Sequence, residues 1–418
     1  MTELELKTRS SEYNAATAVT MGYQEIHNSA ANWQTIMRLF DEGRARDIGE
    51  EPKKGLQPVI LTGSGPSLDK TIAKLKDWTG GIICHYSQAV TLRYHGVVPD
   101  YIMMLDSICN WEGLREVEWT GTKTKIIIHP GMWPSMVDNW PNEMLFYRQN
   151  LGRADAFGVN EQKIMYSRQI GGLPEALASK MAFDPLVKTE MTMFACTPPG
   201  QLFAAQILGY GPVYLTGMDF AYQEGQERFT SFSRNDAGEV IGTKPMLAPR
   251  EYVKTVNGLD TDPLHLYYKK NFISACRLSM QRVFTTDKGS VTEMPYIDMD
   301  KVIKYQGKKA PDIPPDLRAK NYERYLAKIK CYVIEFSTGA AFVEAENPMV
   351  DLPNFMVQRT RGYRCDKCGY HAVRNDDKHV VNDECPSCHA KAMNQETKCD
   401  IEKNMARIKS LVSYAEGK

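Results

Sequence analysis

The residues Gly63-Ser64-Gly65-Pro66-Ser67 have the types and order that let a backbone lie against an anion. Two glycines remove the side-chain wall, so the chain can come close to a phosphate or a sugar. Pro66 has no N–H to lose in a first helical turn, and the N–H groups that follow suit a negative charge. Ser67 adds a hydroxyl. Neither familiar nucleotide pattern is complete here: Leu68 stands where a dinucleotide fingerprint has its third glycine, and the Gly-Lys-Ser/Thr of a P-loop is absent. A strand-to-helix turn with no ligand has the same composition. A second constellation lies near the other end. Cys365-x-x-Cys368 and Cys385-x-x-Cys388 are separated by sixteen residues. Four thiolates complete a tetrahedral Zn²⁺ shell and leave no position for water, so the expected metal is structural. His371, His379 and His389 are then surplus, and Cys399 is read as a free thiol.

These residues need elements to position them. Val59-Ile60-Leu61 is a short apolar run of the kind that makes a buried parallel strand. Leu68, Ile72, Leu75 and Trp78 recur at helical spacing and predict a helix over 67–78. Further strands are expected at 81–84, 101–105 and 125–128, with a helix at 87–95. This alternation predicts an α/β fold, a Rossmann-like doubly wound and mostly parallel sheet. Ligands of such sheets lie beyond the carboxyl ends of the strands. The polar residues at those ends are Gly63-Ser64-Gly65, His85 with Ser87, Asp106 with Ser107, and His129. The glycine turn is read as lying at the sheet's edge, so a bulky residue at position 65 should block a ligand and spare the fold.

Later segments repeat the rhythm. Residues 145–147 suit a strand, and Pro198-Pro199-Gly200 leads into a helix. Residues 212–217 form another buried strand, and Asp219 in its end loop repeats the placement of Asp106. The polar stretch 223–254 is long for a connection and is read as a lid or substrate loop. Asp262-Pro263 caps a helix running to about Arg282, and Val283-Phe284-Thr285 closes the unit.

The chain divides into a helical N-terminal extension (1–54), a nucleotide-binding domain (55–300), a helical linker (301–358), a zinc ribbon (359–393) and a terminal amphipathic helix (394–418). Trp33, Ile36, Met37 and Phe40 give the extension an apolar stripe, which packs on the main domain or on another protomer. Asp316 to Phe336 reads as one long helix, and Ile401, Met405, Ile408 and Val412 form the face of the last. Lys+Arg and Asp+Glu both count 51 in 418 residues, so no basic footprint for nucleic acid is present. No apolar run reaches membrane-spanning length, and Met-Thr-Glu-Leu-Glu-Leu lacks the apolar core of a secretory signal. The expected compartment is the reducing cytoplasm.

Gly63-Ser-Gly-Pro-Ser-Leu68, Gly96-Val-Val-Pro-Asp100, Leu105-Asp106 and Leu215-Thr-Gly-Met-Asp-Phe-Ala-Tyr222, in that order, resemble the MptE-like 6-hydroxymethylpterin diphosphokinase and motility accessory factor (Maf) family. Thr286-Asp-Lys-Gly-Ser290 is similar to that family's closing segment, so the resemblance covers roughly 55–300. It implies a fold related to bacterial sialyltransferases, in which a Gly-x-Gly-Pro-Ser-Leu turn helps to hold a CMP-sugar. Gly63, Ser64, Gly65, Pro66 and Ser67 would then meet the nucleotide. In the sialyltransferases the second strand ends in Cys-Asn, and the Asn helps to bind the donor. Here the pair is Cys84-His85, and Ser87 is the candidate substitute.

Three readings follow. A glycosyltransferase would move a nonulosonic acid from a CMP-sugar to a hydroxyl on a glycan or protein. His129 or His85 would take the acceptor proton, with Asp219 or Asp106 orienting it. A pterin diphosphokinase would use ATP, with Mg²⁺ held by Asp106 and Asp219. A scaffold would keep the fold without catalysis, as a possible homo-oligomer working through its ribbon and helical ends.

Overall fold

The computed structural model describes residues 28–29, 31–107, 109, 111–149, 186–191, 196–222, 253–255, 258–279, 281–289, 291–305, 361–365, 371–374 and 393–395. The expected helices over 316–336 and 401–412, most of the 223–254 connection, and Cys368, Cys385 and Cys388 lie outside them.

Eight strands form one sheet. They are β1 (Ala45–Asp47), β2 (Val59–Thr62), β3 (Gly81–His85), β4 (Tyr101–Met103), β5 (Lys125–Ile128), β6 (Met144–Phe146), β9 (Val213–Thr216) and β12 (Val283–Thr285). Their order is β1-β6-β5-β4-β3-β2-β9-β12, and every neighbouring pair is parallel. Smaller pairs are β7 (Arg148–Gln149) with β8 (Glu190–Met191), parallel, and β10 (Val253–Lys254) with β11 (Asp260–Thr261), antiparallel. Residues Arg361–Cys365 (β13), His371–Arg374 (β14) and Met393–Gln395 (β15) make a separate antiparallel sheet with β13 in the middle.

The strands of the large sheet are apolar on both faces because both are covered. Ile60, Ile82, Ile102, Ile126 and Phe146 point to one side. There they meet α1 (residues 31–41), α2 (Leu68–Thr71), α3 (Tyr86–Tyr94), α4 (Pro134–Asn139) and, far along the chain, α7 (Met299–Tyr305) through Ile36, Leu68, Leu92, Met136 and Val302. Val59, Leu61, Ile83, Met103 and Leu215 point to the other side, against α5 (Thr197–Ile207) and α6 (Pro263–Leu278) through Leu202, Phe203 and Phe272. Each such side chain contributes about 2 kcal/mol by leaving water.

The sheet departs from the expected layout in three places. The division at residue 54 does not separate two bodies: β1 pairs with β6 at the sheet's edge, and Ile36, Leu39 and Ala45 lie in the common core. The helix expected over 67–78 is α2 followed by a 3₁₀ stretch, Ile72–Asp77. The glycine turn is central, because β2 lies between β3 and β9. No helix among the described residues is long and apolar enough to cross a membrane.

Candidate functional site

The chain leaves β2 toward β3 and leaves β9 toward β12, in opposite directions across the sheet. The carboxyl ends of β2 and β9 therefore flank the topological switch point, where open α/β sheets place their ligands. Two loops meet there, 63–67 and 217–222. The Gly63 N–H donates to Thr216 O at 2.8 Å and the Gly65 N–H to Gly217 O at 2.7 Å. A Cβ on Gly63 would stand 2.3 Å from Gly217 O, and one on Gly217 (φ +67°) 2.6 Å from Gly63 O. These glycines let one backbone approach the other.

Asp219 fills the space beside Gly65. Its Oδ2 accepts the Ser67 N–H at 2.8 Å. A Cβ on Gly65 would lie 2.2 Å from that oxygen, and one on Gly289 would lie 2.0 Å from Oδ1. The carboxylate thus takes an N–H of the turn that the sequence suggested for a nucleotide phosphate. Asp287 closes the third side: its Oδ2 accepts from Gly217 N at 2.8 Å, and its Oδ1 from Gly289 N at 3.1 Å and Thr285 Oγ1 at 3.3 Å. Burial, and then the nearby Asp287 charge, push the Asp219 carboxyl up to about 7.

The rim of this centre is polar, with Ser64 and His85 half-buried and Ser87 and Gln88 buried. His85 is the N-cap of α3; its Nδ1 accepts the Ser87 N–H at 3.4 Å, and Gln88 Oε1 accepts the His85 N–H at 3.2 Å. Ser87 Oγ lies 2.9 Å from His85 Nδ1 and 3.0 Å from Ser64 Oγ. Gln88 Nε2 donates to Ser87 Oγ at 2.5 Å and to Ser64 Oγ. Ser64, Ser87 and His85, selected from separate strand ends, are one hydrogen-bonded group. Beneath them Gln201 of α5, fully buried, donates to Thr62 O at 3.1 Å and Ile83 O at 3.4 Å.

His129 has a different place. It is buried; the Gly131 N–H donates to its Nδ1 at 3.2 Å, so the proton sits on Nε2 and is given to Leu105 O at 3.0 Å. Both ring nitrogens brace the backbone between the ends of β4 and β5. Asp106 is half-buried in the same region, and its carbonyl accepts from Cys109 N at 3.2 Å.

Four groups of residues here were not selected from the sequence. Asn28 Nδ2 donates to Ser107 O at 3.2 Å and Gly131 O at 3.0 Å, and Asn32 Nδ2 to Pro130 O at 3.0 Å and Met132 O at 2.6 Å. The two asparagines are one helical turn apart, which is the signal that would have found them. Gln201 is the second group and Asp287 the third. The fourth is Tyr222, Asp262 and His265. Asp262 caps α6, its Oδ1 accepting the His265 N–H at 2.8 Å and facing His265 Nδ1 at 2.9 Å. Tyr222 donates its hydroxyl proton to Asp262 Oδ2, and its oxygen is 3.1 Å from His265 Nδ1. Burial favours the neutral acid at Asp262, but the hydrogen bonds from His265 and Tyr222 outweigh it and hold the carboxyl below its ordinary range. The carboxylate recorded against a histidine ring at this edge is therefore Asp262; Asp219 meets Ser67 and Asp287.

Among the described residues no group of three or more His, Cys, Asp or Glu side chains is placed to hold a metal ion. Cys365 is the last residue of β13.

No curated protein matches the sequence. Among solved structures, a Maf glycosyltransferase from Magnetospirillum magneticum AMB-1 is similar, with a TM-score of 0.47 and 16% identity over 81% of this chain. The similarity spans 47% of that protein, about half its length. The sequence profile of the family described as 6-hydroxymethylpterin diphosphokinase MptE-like matches residues 28–187. That match starts earlier than the expected 55, taking in α1 and β1, and ends before β9 and its Asp219 loop.

Proposed function

We propose that the chain is a nucleotide-dependent transferase whose donor lies over the carboxyl ends of β2 and β3. The reaction we assign is transfer of a nonulosonic acid from a CMP-sugar to an acceptor hydroxyl. The observation that carries this reading is the group Ser64, Ser87, Gln88 and His85, hydrogen-bonding side chains joined to one another where β2 and β3 end and α3 begins, with Ser64 and His85 half-buried and Ser87 and Gln88 buried beside them. Such groups suit a ribose and a single phosphate. The carboxylate that a Mg²⁺–ATP mechanism would want at the end of β9, Asp219, faces inward to Ser67 and Asp287.

Thermal-shift and titration measurements with CMP, CDP, AMP and ATP–Mg²⁺ test the reading. CMP at 100 times its Kd should stabilise the protein by about 2.7 kcal/mol. Ser87→Ala should weaken CMP binding by about 1 kcal/mol, the worth of one hydrogen bond. A shift with ATP–Mg²⁺ alone would favour the second reading, a pterin diphosphokinase, which the description of the matching family supports. Turnover that EDTA abolishes and Mg²⁺ alone restores would establish it. No shift with any nucleotide leaves the scaffold.

The four cysteines are assigned a structural Zn²⁺. The donor set is chemically complete, and Cys365 ends the central strand of a three-stranded antiparallel sheet, a place suited to a zinc knuckle. Elemental analysis should find one Zn²⁺ per chain, and Cys385→Ser should lose it without changing nucleotide affinity. A metal-free native protein would refute the assignment.

A further inference from the structure

We infer that Gln88 is a positioning residue of the donor site: it makes the Ser64 hydroxyl a hydrogen-bond donor, and the ligand atom that this hydroxyl takes is a phosphate oxygen. The inference rests on the transferase reading and assigns the chemistry of one part of its donor site.

Backbone and side-chain contacts place the group. The ladder between β2 and β3 ends with the pair Leu61 and Ile83. Beyond that pair two side-chain amides bridge the strand ends. Gln201, on the face covered by α5, donates from Nε2 to Thr62 O at 3.1 Å and to Ile83 O at 3.4 Å. Gln88, in the first turn of α3, reaches across the next step. Its Nε2 donates to Ser64 Oγ, just after β2, and to Ser87 Oγ, just after β3. Gln88 is fully buried and Ser64 half-buried, so the amide backs the hydroxyl from the protein side.

Counting protons then sets the chemistry. Gln88 Oε1 accepts the His85 N–H at 3.2 Å, which fixes the amide with its nitrogen toward the serines. An amide nitrogen only donates. Its two hydrogens therefore fill one lone pair on Ser64 Oγ and one on Ser87 Oγ. Both hydroxyl protons must point elsewhere. His85 Nδ1 accepts the Ser87 N–H at 3.4 Å, so that nitrogen carries no proton and takes the Ser87 hydroxyl proton at 2.9 Å. The Ser64 proton is left. Without a ligand it lies toward Ser87 Oγ, 3.0 Å away, an oxygen that Gln88 already supplies. Turning it outward leaves no oxygen of the group without a donor. A phosphate oxygen brings only lone pairs and matches this proton, and hydrogen bonds to an ionised oxygen are the stronger kind. A ribose hydroxyl would bring a further proton to oxygens that Gln88 already supplies.

Titration with a nucleotide and with its nucleoside isolates the phosphate. The probes are CMP against cytidine, or AMP against adenosine if the base is adenine. The proteins are the full chain as wild type, Gln88→Glu and Ser64→Ala. Glutamate in this position of a capping box keeps the bond to the His85 N–H, so the start of α3 is retained. Its carboxylate only accepts, and it draws both hydroxyl protons inward. Gln88→Glu should weaken CMP binding by about 10- to 100-fold and Ser64→Ala by about 10-fold, with cytidine affinity unchanged in both. A merely structural role would move CMP and cytidine together, so equal losses of the two would overturn the inference. CMP held by Gln88→Glu as tightly as by wild type would overturn it as well, whatever Ser64→Ala does. Inorganic phosphate separates these failures from that of the transferase reading. A wild type that binds phosphate through Ser64 and Gln88 but binds no nucleotide keeps the oxyanion site and loses the transferase. A wild type that binds neither refutes both.

Discussion

Raising the pH from 3.8 through about 7 is expected to remove on the order of 4 kcal/mol of folding stability through Asp219 alone. In the unfolded chain this carboxyl releases its proton near its ordinary 3.8; in the folded chain burial and Asp287 make it hold the proton to about 7. Between those values the folded state carries a proton that the unfolded state has lost, and every pH unit costs about 1.4 kcal/mol. The contribution is complete below 3.8 and gone above about 7, opposite in sign to the usual salt-bridged carboxylate. Asp219→Asn keeps an oxygen to accept the Ser67 N–H and cannot ionise. Urea midpoints measured across this window should fall more steeply with pH in the wild type than in the variant, and the difference is the contribution of Asp219. Equal slopes in the two proteins would show that the group is already ionised when folded.

Gly65→Val should destabilise the protein by about 3 kcal/mol, the upper end of what overpacking costs in a filled interior. The new Cβ alone would stand 2.2 Å from Asp219 Oδ2 and 2.5 Å from Asp219 Cβ, and that side chain is itself confined by Gly289. Two further methyls have no direction in which to relax. This replaces the expectation that a bulky residue at 65 spares the fold: the turn lies mid-sheet, and its neighbour is a buried carboxylate. Loss of nucleotide binding in Gly65→Val would therefore report on folding first. The pair can be separated by a cycle. Gly65→Ala should cost much less in an Asp219→Ala background than in the wild type, giving a coupling of about 1–3 kcal/mol. An unchanged urea midpoint for Gly65→Val would show that the two loops do not pack in this way.

The sheet was legible because its strands are self-announcing. Val59–Thr62 and Lys125–Ile128 are short apolar runs in the interior of the sheet, Val283–Thr285 is one at its edge, and each lies within a residue or two of the expected bounds. Ala45-Arg46-Asp47 was not visible as a strand: it lies at the edge, is three residues long, and Arg46 reaches out to Glu143 at 2.8 Å. The break in the helix after Thr71 has no strong sequence marker. In the site, Ser64, Ser87 and His85 could be selected because strand ends converge by topology alone. The inward turn of Asp219 could not, because it depends on Asp287 and Gly289, nearly seventy residues later. His265 was passed over for a different reason. Asp262 was read as a helix cap, which it is, and a cap three residues before a histidine also orients that ring.

The centre of the sheet is assembled from distant pieces of chain. Ser67 and Asp219, which share a hydrogen bond, are 152 residues apart, and β9 gains its other neighbour only with β12. β2 through β6 can pair in order as they leave the ribosome, since each lies beside the next. The β2–β9 pairing cannot form until the long intervening stretch has been made, and it carries the largest loop-closure cost in the sheet. Until then β2 presents an unpaired strand edge of Val59, Ile60 and Leu61, the kind of surface on which newly made chains aggregate. The packing around Asp219 is completed late, because Asp287 and Gly289 reach it only after β12 has been made, so a chain that stalls before residue 287 has every strand of the large sheet and an unfinished centre.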